Sequence, residues 1–340
     1  MTRSKPLRIL LIALASLFSL VLIAAIVVYF VYLAPSGDID DYRAYFIKSD
    51  TTTNNNSLRV TSLGTTTLLF DDGENQILVD GFLCRKSLLT IFRKEIQTDS
   101  AFVDKIIAQN KINRLKAIFA THSHYDHTLD IAYIASKTDA ELHGSISTLN
   151  IGRGGNVKED KLHLYEIGKP IEIGEFKISI LPSIHSKPNK YNSDLGVVIE
   201  KPLKQPARVQ AYSEGNSYDI YIKHKNATML VRPSCNYIKN SLDTVRADVL
   251  FLGIGGLGKY GEMETNFTKE FFEETIDKVK PKTIIPIHWE DFLTSIEEPM
   301  KPQMKALDNF DSGMTSLIKK TQEDSINLYL LEIFSTYKFH

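Results

Sequence analysis

The sequence predicts an α/β (α+β) fold in which two β-rich halves pack their sheets together with helices outside, preceded by one membrane-crossing helix. Three observations carry this expectation. Short apolar runs of strand character alternate with stretches of helical periodicity from residue 58 onward. A long charge-free segment fills the N-terminus. Histidines recur at the ends of three of the apolar runs, at His122, His185 and His288.

The N-terminal segment runs uncharged from Ile9 to Pro35, long enough to cross a hydrocarbon core of roughly 30 Å. Arg3, Lys5 and Arg8 precede it, and Asp38, Asp40 and Asp41 follow. The positive-inside bias places residues 1–8 in the cytoplasm and everything after the anchor outside it. A cleaved signal peptide has an apolar region of about 7 to 15 residues ending in a small-x-small site. "YLAPSG" offers Ala34 without that pattern, so residues 9–34 are expected to be a retained signal-anchor. The polar stretch 35–57 reads as a linker, and 58–340 as one domain.

Composition is that of an ordinary folded domain: 340 residues, 43% hydrophobic, 24% charged. The net charge of −1 lacks the basic excess of a general nucleic-acid binder. Two cysteines, Cys84 and Cys235, are too few for a disulfide scaffold, although one pairing is open to an exported domain.

Along the domain, "LRVTSLGTTTLLFDDGENQILVDGF" holds two β-type runs around the turn signal "DDGEN". "SAFVDKIIAQNKINRL" has helical spacing, and "KAIFATHS" is a short buried strand. "LDIAYIASKTDAELHGS" reads as a helix, followed by a Gly- and Ser-rich loop in "LHGSISTLNIGRGG". Strands are expected in "KPIEIGEFKISILPS", "LGVVIEKP", "SYDIYIKHKNATMLV", "ADVLFLGIGG" and "TIIPIHWEDF". "NFTKEFFEETIDKVKPK" is a helix stopped by Pro281.

"THSHYDHTLD", residues 121–130, leaves a strand end with His122, His124, Asp126 and His127. Alternating residues there can converge on one ion, and imidazole with carboxylate is the ligand set of a zinc-type cation. A catalytic zinc takes three protein ligands plus water, so further histidines must come from elsewhere. His185 after "ISILPSI" and His288 after "TIIPI" are the candidates. His143, His163, His224 and His340 fit no ligand pattern and read as surface or structural.

"HSHYDH" matches in full the H-x-H-x-D-H motif of the metallo-β-lactamase fold superfamily, which the domain resembles over nearly its whole length. "LVDGF" resembles that family's early strand-end aspartate motif. "LPSIHS" and "IPIHWEDF" look like the branch containing L-ascorbate-6-phosphate lactonase and N-acyl-phosphatidylethanolamine phospholipase D. The resemblance implies an αββα four-layer sandwich with metals at one edge between the sheets. It implies His122, His124 and His185 as ligands of a first metal, and Asp126, His127 and His288 of a second. Asp80 would orient the metal-binding loop.

One ligand of the family has no counterpart. Ser234, in "RPSCNY", falls where an aspartate usually bridges the two metals. Losing that charge should raise the repulsion between two dications and weaken the second site. Cys235 beside it offers a soft alternative ligand, though its side chain should point away from its neighbour's.

The functional expectation is a membrane-anchored metallo-hydrolase that uses metal-activated water on a phosphodiester, lactone or other ester, with one or two divalent ions. Zinc is the first choice, manganese or iron the others. Asp126 would serve as general base if the second site is empty. A small-molecule or lipid-like substrate is expected; a β-lactam and a nucleic acid are not favoured. The alternative is a metal-binding protein of the same fold with little or no turnover, motivated by Ser234.

Overall fold

In the computed structural model, which describes residues 5–47, 57–188 and 193–339, each β-rich half supplies most of one seven-stranded sheet. The strands are β1 (Arg59–Ser62), β2 (Leu68–Asp71), β3 (Gln76–Val79), β4 (Leu115–Phe119), β5 (Glu141–Gly144), β6 (Leu162–Leu164), β7 (Ile171–Ile173), β8 (Phe176–Pro182), β9 (Tyr218–His224), β10 (Ala227–Arg232), β11 (Val249–Gly253), β12 (Thr283–Ile287), β13 (Asn327–Leu328) and β14 (Thr336–Lys338). One sheet runs β14-β1-β2-β3-β4-β5-β6 and the other β13-β12-β11-β10-β9-β8-β7. Each is mixed: antiparallel hairpins give way to parallel strands, from β3 to β6 in the first and from β10 to β13 in the second.

The layering follows from side-chain alternation along the strands. Ile77, Val79, Ala117 and Phe119 of the first sheet meet Met229, Val231, Phe251 and Ile285 of the second in one shared core. Their neighbours Leu78, Ile118 and Leu142 face the helices Ser100–Gln109 and Ile131–Thr138 on the outer side. Leu230, Leu250 and Ile284 likewise face Phe271, Ile276 and Leu317 of the helical segments 267–277 and Phe310–Glu323. Strands buried on both faces read as unbroken apolar runs, which is why "VLFLG" and "TIIPI" stood out.

The structure redraws three stretches. The helix expected over "LDIAYIASKTDAELHGS" ends at Thr138, because Asp139 turns left-handed at φ 55°. "ELHG" then becomes β5, paired with β4. The expected loop "SISTLNIGRGG" is the helix Ile146–Gly154, its first turn capped by the Ser145 hydroxyl. "LGVVIEKP" is not a strand: Val197 and Val198 are exposed.

The N-terminal segment is helical over Lys5–Leu33, 29 residues with no buried residue, and its most apolar 18-residue window has mean hydropathy 3.0; the helix rises about 43 Å. It meets the requirement for one membrane span. Of the expected linker 35–57, residues Ile39–Tyr45 form a 3-10 helix whose Tyr42 is buried in the domain; residues 48–56 lie outside the described residues. Backbone bonds tie the end of this helix to the segment before the last long helix, from Lys305 N to Ala34 O (3.0 Å) and from Ser36 N to Gln303 O (2.9 Å).

Asp71 fastens the hairpin end of the first sheet. Its carboxylate accepts from Arg59 on β1 (2.7 Å), Gln76 on β3 (2.9 Å) and Arg114 just before β4 (2.9 Å). Burial works against its charge, but the Gly73 amide, Gln76 and the two guanidiniums hold its pKa below the ordinary carboxylate value. Asp71→Asn is expected to cost about 2 kcal/mol in denaturant unfolding at neutral pH. A depressed folded pKa means this stabilisation is present above the unfolded value and lost as pH falls through the folded one. Wild type and variant should therefore converge in acid.

Candidate metal centre

Three strand ends meet at one edge of the sandwich. β4 runs into Thr121–His127, β8 into Ser183–His185, and β12 ends immediately before His288. Two groups of ligand atoms result, each within 4.8 Å of one another: His122, His124 and His185 in one, Asp126, His127 and His288 in the other. The His122 and His127 rings, with centroids 3.8 Å apart, join the two groups.

Within the first group, His124 Nδ1 lies 3.2 Å from His185 Nε2. In the second, His288 Nε2 is 3.3 Å from His127 Nε2 and 3.4 Å from Asp126 Oδ2. Nitrogens facing each other at this distance repel unless a proton or a cation sits between them. Tetrahedral ligands at zinc–nitrogen distances of about 2.0–2.1 Å are themselves about 3.3 Å apart. His122 Nε2 is buried with no hydrogen-bond partner, an orphan that a cation would satisfy. These donors fit a zinc-class ion in each group.

Electrostatics keeps the donors in ligand form. Burial pushes His122 well below the ordinary imidazole pKa and brings His185 to about 3, so both are neutral. Burial also opposes the charge on Asp126, but the His127 and His288 imidazoles hold its pKa far below the usual carboxylate range. Asp126, His124 and His288 are partly exposed, which leaves one side of the centre open.

The far nitrogens are held by the protein. Asp80 accepts from His127 Nδ1 (2.7 Å), from the Thr121 amide (2.7 Å) and hydroxyl, and from Thr66 Oγ1. It reaches all of them from a left-handed turn at the end of β3, φ 55°, a strained conformation for a non-glycine residue. Gly81 follows; a Cβ there would meet Ile131 Cγ2 at 2.8 Å, and its amide donates to His127 O at 2.7 Å. His288 is also left-handed, φ 58°, with its carbonyl held by Gln303 at 2.8 Å.

Sequence reasoning missed Asp194. Its carboxylate faces His124 Nε2 at 3.2 and 3.3 Å, which aims Nδ1 into the first group. Asp194 in turn accepts from the Glu214 amide at 3.2 Å. "YNSDLG" carries no motif to announce this role; only the fold brings residue 194 to residue 124.

Ser234 and Cys235 follow β10 beside His185. The Cys235 amide donates to Ser186 Oγ (3.1 Å), and Asn236 Nδ2 to His185 O (2.8 Å). Cys235 is not a member of either ligand group. Cys235 packs into the core on the outer face of the second sheet, and burial pushes its thiol pKa well up, which disfavours the thiolate a metal requires. Cys84 and Cys235 are both buried free thiols, so the disulfide is not formed.

Asp194→Asn removes charge from behind His124 while leaving every ligand in place. Competition with a chromophoric chelator should find zinc affinity at the first group lowered by about 10- to 100-fold, with unchanged far-ultraviolet circular dichroism.

Comparison with known proteins gives the lineage. Residues 76–289 match the model of the beta-lactamase superfamily domain, well over half of the chain. A UPF0173 metal-dependent hydrolase of Nanoarchaeum equitans is 24% identical over 215 residues, 61% of this chain and 83% of that protein. One from Staphylococcus aureus is 21% identical, covering 70% and 88%. Among solved structures, the metallo-beta-lactamase fold protein YhfI from Bacillus subtilis superposes with a TM-score of 0.51 at 14% identity, covering 83% of this chain and 99% of that one. The isothiocyanate hydrolase from Delia radicum gut bacteria gives 0.50 at 14%, again over 83% and 99%. The chain belongs to the beta-lactamase superfamily domain family and has the metallo-β-lactamase fold.

Proposed function

We propose that the protein is a membrane-anchored, metal-dependent hydrolase of phosphodiester, lactone or other ester substrates, with its domain on the extracytoplasmic side. The observation that carries this reading is the pair of adjoining ligand groups, His122/His124/His185 and Asp126/His127/His288. The relatives named metal-dependent hydrolases support the reaction class. A divalent cation held there, zinc by preference, supplies a water ionisable near neutral pH and polarises the oxygen of the bond under attack.

The chain's own residues do the rest. His122 and His127, fully buried, fix the floor of the centre. Asp80 and Asp194 orient imidazoles from behind. Asp126, ionised and partly exposed, places Oδ2 where it can take the proton of the attacking water when the second group holds no ion. With Ser234 in place of a bridging carboxylate, the second ion is bound more weakly than the first. The substrate is small or lipid-like, in keeping with an anchored chain whose net charge is only −1.

Ser234 also motivates a second reading, a metal-binding protein of the same fold without turnover. The purified full chain in detergent, after metal analysis for zinc, manganese and iron, should hydrolyse at least one member of a phosphodiester, lactone and ester panel. His122→Ala should lower kcat/KM by about 10³-fold or more, the loss of several kcal/mol of charge stabilisation. Ser234→Asp separates the readings: an enzyme adapted to serine is active before the change, whereas an inert relic gains metal and stays inert.

A further inference from the structure

Away from this centre, a third group of donors falls within 4.8 Å of one another: Glu141, His143 and His163. The sequence offers no motif for it, because Glu141 and His143 lie in the stretch that reads as helix. As β5 they stand two residues apart and therefore on one face of the sheet. His163, on β6, is the register partner of His143, and His143 is the register partner of Phe119 on β4. The three rings stack across the strands, with centroids 4.9 Å apart from Phe119 to His143 and 4.7 Å from His143 to His163. That is the strand spacing itself. Phe119 belongs to the core between the sheets, so the cluster lies on the inner face of the first sheet, at its β6 edge.

We propose that Glu141, His143 and His163 form a second, peripheral divalent-cation site of the zinc class. Both histidines turn Nε2 toward the same carboxylate oxygen: Glu141 Oε2 is 3.0 Å from His143 Nε2 and 3.8 Å from His163 Nε2. Only the nearer nitrogen is within hydrogen-bonding reach. His163 Nε2 is buried and has no hydrogen-bond partner, although its ring is partly exposed. A cation among the three atoms satisfies that nitrogen and neutralises the carboxylate together.

Two imidazoles and one carboxylate make a recognised three-ligand zinc set, with a fourth position for water. A tetrahedral site sets its ligand atoms about 3.3 Å apart, so His163 Nε2 draws in toward Glu141 Oε2 from 3.8 Å while the 3.0 Å pair opens slightly. His143 is held by its neighbours on both sides, and burial lowers its pKa to about 4, so it is neutral and ready to ligate. Glu141 and His163 are partly exposed and give an ion its way in. Occupancy clips edge strand β6 to β5. It also stiffens the end of β4, since the Ala120 amide donates to His143 O at 3.1 Å, two residues before His122.

The test is calorimetric titration of the chelator-stripped full chain in detergent with Zn²⁺ alone. Wild type should take up one equivalent more than His163→Ala, and Glu141→Gln should weaken that same event at least tenfold. His122→Ala/His127→Ala, which dismantles the central groups, should retain the event. His163 and Glu141 are partly exposed, so their variants keep the fold even if the central double variant does not. Equal stoichiometry in wild type and His163→Ala would overturn the proposal and leave Phe119, His143 and His163 a purely structural stack. Loss of that additional event in a folded central double variant would overturn it equally.

Discussion

The centre depends on a buried carboxylate. Asp80 has no solvent access, yet one side chain gathers the Thr121 amide and hydroxyl, Thr66 and His127 Nδ1. It thereby ties the end of β3 to the loop leaving β4, and it fixes which nitrogen of His127 faces the open side. Such an arrangement costs conformational energy. The left-handed turns at Asp80 and His288 cost about 1–3 kcal/mol each and persist only where the surroundings over-determine them. Here they are over-determined by hydrogen bonds: Gly81 N to His127 O on one side, His288 N to Thr65 O on the other. Asp130 reinforces the same junction, accepting from the Leu83 and Cys84 amides at 2.7 Å each.

A second rule recurs through the centre. Three imidazoles turn one nitrogen toward the shared space and give the other to a protein partner: Asp80 for His127, Asp194 for His124, the Ser186 carbonyl for His185. Partners of this kind set tautomer and ring orientation before any ion arrives. The chain has thus assembled a low-dielectric recess with five histidine rings and one ionised aspartate, a set of groups that burial alone would penalise. A divalent cation relieves that penalty.

How much of this was legible in the sequence depended on chain distance. The H-x-H-x-D-H stretch was plain because its four donors are local. His185 and His288 were readable because each ends a doubly buried strand, whose unbroken apolar run is hard to mistake. Asp194 was invisible, since its contact with His124 spans 70 residues and rests on loop geometry with no periodic signature. β5 was misread because "AELH" continues an apolar helical pattern, and only the left-handed Asp139 stops it. That error hid Glu141 and His143, whose side chains share a face only at a strand's period of two. Cys235 was weighed as a soft ligand beside Ser234 but with its side chain pointing away; the structure buries it in the core on the outer face of its sheet.

The central claim is that two ions can sit side by side, one held by His122, His124 and His185 and the other by Asp126, His127 and His288. Anomalous-difference maps from crystals of the zinc-loaded protein, recorded on either side of the zinc edge, test it most directly. The account predicts a full peak within the first group and a second, weaker peak within the other, neither in contact with Cys235. Absence of a peak between His122, His124 and His185, or a peak ligated by the Cys235 sulfur, would contradict it.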